Sequence, residues 1–130
     1  MAERVAYRGR VPSELAKLSD QEFLSLLKSR QRRSVKRAGI AYKKLLSKVE
    51  KARTKGQSKE IKTHVREAVI LPSWIGLKFS VYNGKEFVPI EINANMLGHR
   101  LGEFVYTTKR VIHSAPGIKA TRGSKFLSVK

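Results

Sequence analysis

The sequence predicts an α+β fold. N-terminal helices should pack beside a small, mostly antiparallel sheet with an Asn-Gly hairpin, and basic extended arms should lie at the N- and C-terminal ends. Three observations predict it. Apolar residues between about 19 and 53 recur at three- and four-residue steps, the helical period. Two β-rich runs flank Asn83-Gly84 in the centre. The charge is segregated. Residues 28–62 hold 14 Lys and Arg against two acids, residues 67–103 sum to −1, and residues 104–130 hold six basic groups and no acid.

The elements follow in order. Residues 1–18 contain Gly9 and Pro12 and no sustained period, so they read as an extended basic N-terminal arm. Residues 19–62 form a basic helical region. Ser19-Asp20-Gln21-Glu22 is a capping box. The apolar face Phe23, Leu24, Leu26 and Leu27 follows it, and this helix is predicted to run to about Arg33. A second helix is predicted over roughly 34–53 from Val35, Ala38, Tyr42, Leu45, Leu46, Val49 and Ala52. Gly39 costs that helix about 1 kcal/mol relative to Ala, so a break or bend is expected there. Residues 54–58 read as a loop. Residues 63–106 form the central α+β core. Within it, 68–71 is β-rich and stops at Pro72, and 77–82 and 85–92 are two strands joined by an Asn83-Gly84 type I′ turn. Pro89 inside the second run predicts an edge strand or a bulge. Residues 107–130 form a basic C-terminal tail.

The chain has 130 residues, a formal net charge of +18 and no cysteine. Its length suits one domain. Charge of this size calls for a polyanionic partner, nucleic acid first and an anionic membrane surface second. No apolar stretch is long enough to span a bilayer, and the first residues lack the apolar region of a secretory signal. Without cysteine there is no thiolate zinc site and no Cys nucleophile. His64, His99 and His113 are too widely spaced to suggest metal ligands. Phosphate-loop spacing and a Ser–His–Asp set are absent. Glu103 reads as an ion-pair or turn partner rather than an acid catalyst. No catalysis, no metal and no cofactor are expected.

The candidate contacts are therefore cationic. Lys36, Arg37, Lys43, Lys44, Lys48, Lys51 and Arg53 occupy the polar face of the second helix; the bland alternative is a solvated face. Arg30, Arg32 and Arg33 end the first helix. They suit forked phosphate contact, and equally the helix C-terminal dipole. In Tyr82-Asn83-Gly84-Lys85, the lysine at the turn tip is placed to reach a phosphate and Tyr82 to stack on a base. A plain turn with a core-facing Tyr82 fits as well. His99 and Arg100 lie between Gly98 and Gly102, which allow close backbone approach or simply serve tight turns. Lys119, Arg122, Lys125 and Lys130 lie in a tail too poor in apolar area to fold alone; it either orders on RNA or solubilises the chain.

Several motifs carry a resemblance. They are Ile70-Leu71-Pro72 and Gly76, then Val81-Tyr82-Asn83-Gly84-Lys85-x-Phe87, then Met96-x-Gly98-His99-x-Leu101-Gly102-Glu103-Phe104. The match continues through Lys62-Thr63-His64, Ser29-Arg30-Gln31-Arg32-Arg33, Tyr7-Arg8-Gly9, Pro116-Gly117-Ile118-x-Ala120-Thr121 and Ser124-x-Phe126. In this order and spacing they resemble the universal small-subunit ribosomal protein nineteen family, in its archaeal and eukaryotic form. The resemblance covers nearly the whole chain. It implies a cytoplasmic structural constituent of the small-subunit head, bound to ribosomal RNA beside the head protein numbered thirteen. It also implies a tail directed toward the decoding-site transfer RNAs. The expected RNA contacts also include Lys62, His64, Arg66, Lys109 and Arg110. Two rival classes share the charge but not these motifs: a DNA-packaging protein, and an enzyme acting on nucleic acid.

Overall fold

The computed structural model describes residues 7–56 and 59–111. The first element departs from the extended arm expected over 1–18. Val11 is extended, Pro12 opens a short helix α1 (Pro12–Leu15), and Leu15 is fully buried. Proline suits a first helical turn because its missing N–H has no intrahelical acceptor there. Tyr7 also packs inward, its ring 5.4 Å from that of Phe23.

The capping box forms as expected and starts α2 (Asp20–Leu26). The Glu22 amide donates to Ser19 Oγ at 3.3 Å, and the Ser19 amide donates to Glu22 Oε2 at 2.9 Å. The bond from the Ser19 backbone, followed by that from its side chain, holds the Glu22 carboxyl below its usual range. The helix stops at Leu26 rather than near Arg33. Leu27 and Lys28 are extended, and a separate helix α3 (Ser29–Lys36) begins. The physical reason is tertiary. Turning the chain buries Leu27 completely. Arg32 then reaches back to the orphaned carbonyls: Nε donates to Leu24 at 3.0 Å, and Nη2 to Ser25 at 3.0 Å and Leu27 at 2.9 Å.

The predicted 34–53 helix divides at Gly39, which is extended and N-caps α4 (Ile40–Lys55). That helix outruns its expected end and closes on Gly56 at φ 56°, a left-handed cap that favours glycine. Tyr42, Leu45 and Val49 are its buried stripe.

The sheet has order β1 (Ile61–Thr63), β2 (Lys78–Tyr82), β3 (Phe87–Glu91). It is mixed rather than mostly antiparallel: β1 runs parallel to β2, and β2 antiparallel to β3. Pro89 lies on β3, an edge strand opposite Ser80, where its missing N–H breaks no ladder. The β2–β3 connection differs from the expected type I′ turn. Asn83 does not take the positive φ that turn requires. Its Oδ1 instead accepts the amides of Lys85 and Glu86, each at 2.9 Å, and Asn83 N donates to Glu86 O at 3.0 Å. The central pair of the turn is therefore Gly84-Lys85, with Gly84 at φ 104°.

Residues 68–71 are not a sheet strand, although they read as one. Ala68, Val69 and Ile70 are fully buried, and their backbone pairs with 98–102. Ile70 N donates to His99 O at 2.9 Å, Gly98 N to Ile70 O at 3.2 Å, and Leu101 N to Ala68 O at 3.0 Å. A continuous apolar run signals two-sided burial, which a sheet is not needed to supply. Trp74 stacks on Phe79 with centroids 5.1 Å apart in the centre of the core.

Two predictions follow from this packing. Gly98 has φ 77°, and a Cβ there would lie 2.8 Å from the Tyr7 ring. Gly98→Ala should therefore cost at least about 1–2 kcal/mol, read by urea unfolding. Tyr42 is buried, and its hydroxyl lies against the Val69 backbone without a well-formed hydrogen bond. Burial, helped by the charge of Asp20, pushes its pKa up to about 12. Its neutral form is thus favoured in the fold, so its contribution is fully present below about pH 10 and is lost as pH rises towards 12. Tyr42→Phe should be as stable as the parent at pH 7 or more so, and should lose less stability between pH 10 and 12 in the same urea titration.

Candidate nucleic-acid interface

The α4 lysines do not form one stripe. Lys44, Lys48, Lys51 and Lys55 follow one another at four, three and four residues, so they share one side of the helix. Opposite them, β1 and its approach contribute Lys59 and Lys62. Lys48, Lys51 and Lys55 with Lys59 and Lys62 line an open groove of about 450 Å³ between α4 and β1. A second hollow, lined by Lys44, Lys48, Lys62 and His64, continues it. Lys43 lies on the flank of the helix two turns before Glu50. Arg53 faces the other way, into a hollow lined with Asp20, Pro72 and Ser73.

The electrostatics of this groove are one-sided. Among the described residues no Lys or Arg nitrogen lies within 4.0 Å of a carboxylate; the one ion pair there is His99 with Glu103. The acid in the groove, Glu60, accepts from the Ser80 hydroxyl. Lysines four apart on a helix destabilise it by about 0.2–0.5 kcal/mol per pair. Among the described residues no carboxylate pairs directly with Lys44, Lys48, Lys51 or Lys55, and a bound polyanion would offset that cost.

Two arginines from the expected set are structural. Arg32 donates three hydrogen bonds, to the Leu24 and Ser25 carbonyls of α2 and to the Leu27 carbonyl just beyond it. Arg66, half-buried, donates from Nη1 to Tyr82 O at 2.8 Å, and from Nη2 to Gly102 O at 3.0 Å and to Val105 O. A guanidinium has five N–H donors, so each fork is turned inward and its charge is shared with backbone dipoles. Gly102 packs directly on Arg66, where an added Cβ would meet its backbone oxygen at 3.0 Å.

The remaining candidates separate by exposure. Arg30, Arg33, Lys36 and Arg37 are exposed on α3 and at its exit. Lys85 is exposed in the β2–β3 turn, while the Asn83 side chain serves the turn itself. His99 and Glu103 pair through Nδ1 and Oε2 at 2.7 Å, both about half exposed, and Glu103 Oε1 also accepts the Arg100 amide at 3.3 Å. Glu103 is thus the turn partner its isolation suggested. Arg100 is half-buried, bridged to Val69 through its backbone. His64 is exposed beside a half-buried Tyr82, their ring centroids 4.6 Å apart. Lys109 and Arg110 are exposed at the end of the described chain. Lys119, Arg122, Lys125 and Lys130 lie outside the described residues. So do His113 and the Pro116-Gly117 motif.

Residues 33–113 match the family described as ribosomal protein S19. The small ribosomal subunit protein uS19 of Saccharolobus solfataricus (strain ATCC 35092 / DSM 1617 / JCM 11322 / P2) is 55% identical over 126 residues, covering 95% of this chain and 90% of that protein. The chain belongs to the ribosomal protein S19 family.

The S19 match spans the whole α4–β1 groove and the 98–102 turn, and an archaeal relative agrees with the archaeal and eukaryotic form of the resemblance. S19 proteins are ribosomal structural proteins, not enzymes. Among the described residues no three His, Asp or Glu side chains are grouped to hold a metal, and no helix is long and apolar enough to cross a membrane. Sequence reasoning missed Lys55 because 54–58 read as a loop, and it also missed Lys59, which follows that loop. The signal was present: Lys55 stands four residues after Lys51, on the side that Lys44 and Lys48 already define.

The division between groove and clamp is testable. Lys48→Ala should leave the thermal midpoint of the free chain within the range of a neutral surface change, about 0.5 kcal/mol either way. Arg66→Ala should cost about 3 kcal/mol or more, because it strands three buried or half-buried carbonyls. Equal effects on stability would show that Arg66 is not a structural clamp.

Proposed function

We propose that this chain is a structural constituent of the small ribosomal subunit, in the cytoplasm, that binds ribosomal RNA through the α4–β1 groove. The carrying observation is the uncompensated set Lys44, Lys48, Lys51, Lys55, Lys59 and Lys62, held at fixed spacing beside a near-neutral core. Each phosphate neutralised by a lysine releases counterions. About six such contacts make affinity fall roughly 10³-fold between 50 and 200 mM salt. Recognition is of folded RNA shape and phosphate position, with no chemistry. The exposed Arg30, Arg33, Lys36 and Arg37 extend the cationic surface along α3.

The finer reading places the chain in the head of the subunit, against the head protein numbered thirteen, with the basic tail 107–130 directed toward the decoding-site transfer RNAs. Its support is the motif resemblance and, for the tail, the absence of any acid from 104 to 130.

Sedimentation of tagged chain through a sucrose gradient after a high-salt wash tests the reading. The wild-type chain should remain with the small subunit, and Lys44, Lys48 and Lys51 changed together to Glu should move it to the top of the gradient. The single change Lys43→Glu should have a much smaller effect. Retention of the triple variant would remove the groove from the interface. Recovery of the wild type with the nucleoid would overturn the ribosomal reading in favour of DNA.

A further inference from the structure

One cluster beside the groove has no part in charge neutralisation. Along β1 and beyond it, Ile61 and Thr63 are buried, whereas Lys62 and His64 are exposed. In β2 and β3, Tyr82 sits directly opposite Phe87 in the strand register. Alternation along the strands thus sets His64, Tyr82 and Phe87 together on the sheet face turned away from the core. His64 lies 4.6 Å from Tyr82 and 5.1 Å from Phe87, centroid to centroid, and Tyr82 lies 5.2 Å from Phe87. Tyr82 and Phe87 are half-buried and His64 is exposed. Three rings on the wet side of a sheet fill no core.

The surroundings of the rings indicate what they accept. The Lys62 ammonium sits 5.6 Å from the Phe87 centroid. His64 also lines the hollow shared by Lys44, Lys48 and Lys62. A nucleic-acid backbone laid along the lysines therefore passes beside the rings. The Arg66 clamp on the Tyr82 carbonyl fixes the strand end that carries them. An apolar protein partner would have to bury these ammonium groups without counter-charge, at a cost of several kcal/mol per ion. A phosphate chain supplies the counter-charge itself.

We propose that His64, Tyr82 and Phe87 form a stacking platform for one unpaired base of the RNA whose backbone occupies the lysine groove. This rests on the RNA-binding reading above. Every base has a π-face, so the platform reads single-strandedness rather than sequence, while the lysines contribute the salt-dependent part of the affinity.

The two contributions separate in a filter-binding titration of the full chain on deproteinised small-subunit ribosomal RNA across a salt series. His64→Ala and Tyr82→Leu should each weaken binding by about 5- to 150-fold without changing the slope of log K against log salt. Tyr82→Phe, which keeps the ring, should bind as the wild type does. Lys48→Ala should lower the slope by about 1. Circular dichroism checks the fold of each variant, and His64→Ala removes only an exposed side chain should Tyr82→Leu fail to fold. Wild-type affinity in folded His64→Ala overturns the platform. So does a Tyr82→Phe loss equal to that of Tyr82→Leu, or a ring variant whose slope falls as that of Lys48→Ala does, since the rings would then only support the groove. Rings shielded in assembled subunits by a protein neighbour, with RNA affinity unchanged, overturn it as well. A wild-type chain that prefers duplex DNA to the RNA fails the underlying reading instead, and is recognised by that control alone.

Discussion

The Arg66 guanidinium joins three parts of the chain that the sheet alone leaves separate. It donates to the end of β2 at Tyr82 and to the Gly102–Val105 turn. Its own carbonyl accepts the Gly102 amide at 2.8 Å. From this point residues 68–71 run through the core, paired to 98–102 and covered on both sides. Backbone groups this deeply buried must be paired, and a three-stranded sheet with a three-residue edge strand has no ladder to spare for them. The register of Arg66 on Gly102 thus fixes the pairing of the whole buried segment.

Charge follows the opposite rule from apolar area in this molecule. The apolar side chains converge into one cluster built from α1, α2, α4, the sheet and the turns between them. The cations are spread over α3, α4 and β1, and those that find internal partners find carbonyl dipoles or, for Lys62, the Phe87 ring, rather than carboxylates. A protein selected for stability alone would pair its lysines with acids along α4. This one leaves them open, which is the trade expected where function needs a locally unfavourable surface.

Legibility in the sequence tracked how local each cause was. The Ser19 cap, the Gly39 break and the edge position of Pro89 depend on a few neighbouring residues and were readable. The stop at Leu26 was not, because it comes from an arginine in the next helix answering the carbonyls of the last turn. Residues 68–71 looked like a strand because an apolar run reports burial and not the partner that provides it. The same limit applied to the site. Residue type marked Arg32, Arg66 and Lys48 alike as cations, but only the direction of each side chain separates a clamp from a contact. The family motifs were legible as a pattern, and their glycines and acids turn out to serve turns: Gly98 under Tyr7, Gly102 against Arg66, Glu103 on the Arg100 amide.

The seat of the N-terminal segment has a consequence for the order of events in synthesis. Tyr7 rests on Gly98, and α1 docks on the 3₁₀ turn Ala94–Met96. The first described residues therefore find their places only after most of the polypeptide has emerged. These are contacts of long sequence separation, which are slow to close. Until then α2, α3 and α4 can form from local signals while Tyr7 has only Phe23 to rest on and α1 lacks the Ala94–Met96 turn it docks against. A growing chain thus displays its most cationic helices before its core is sealed, and residues near position 98 act as the latch that completes the domain.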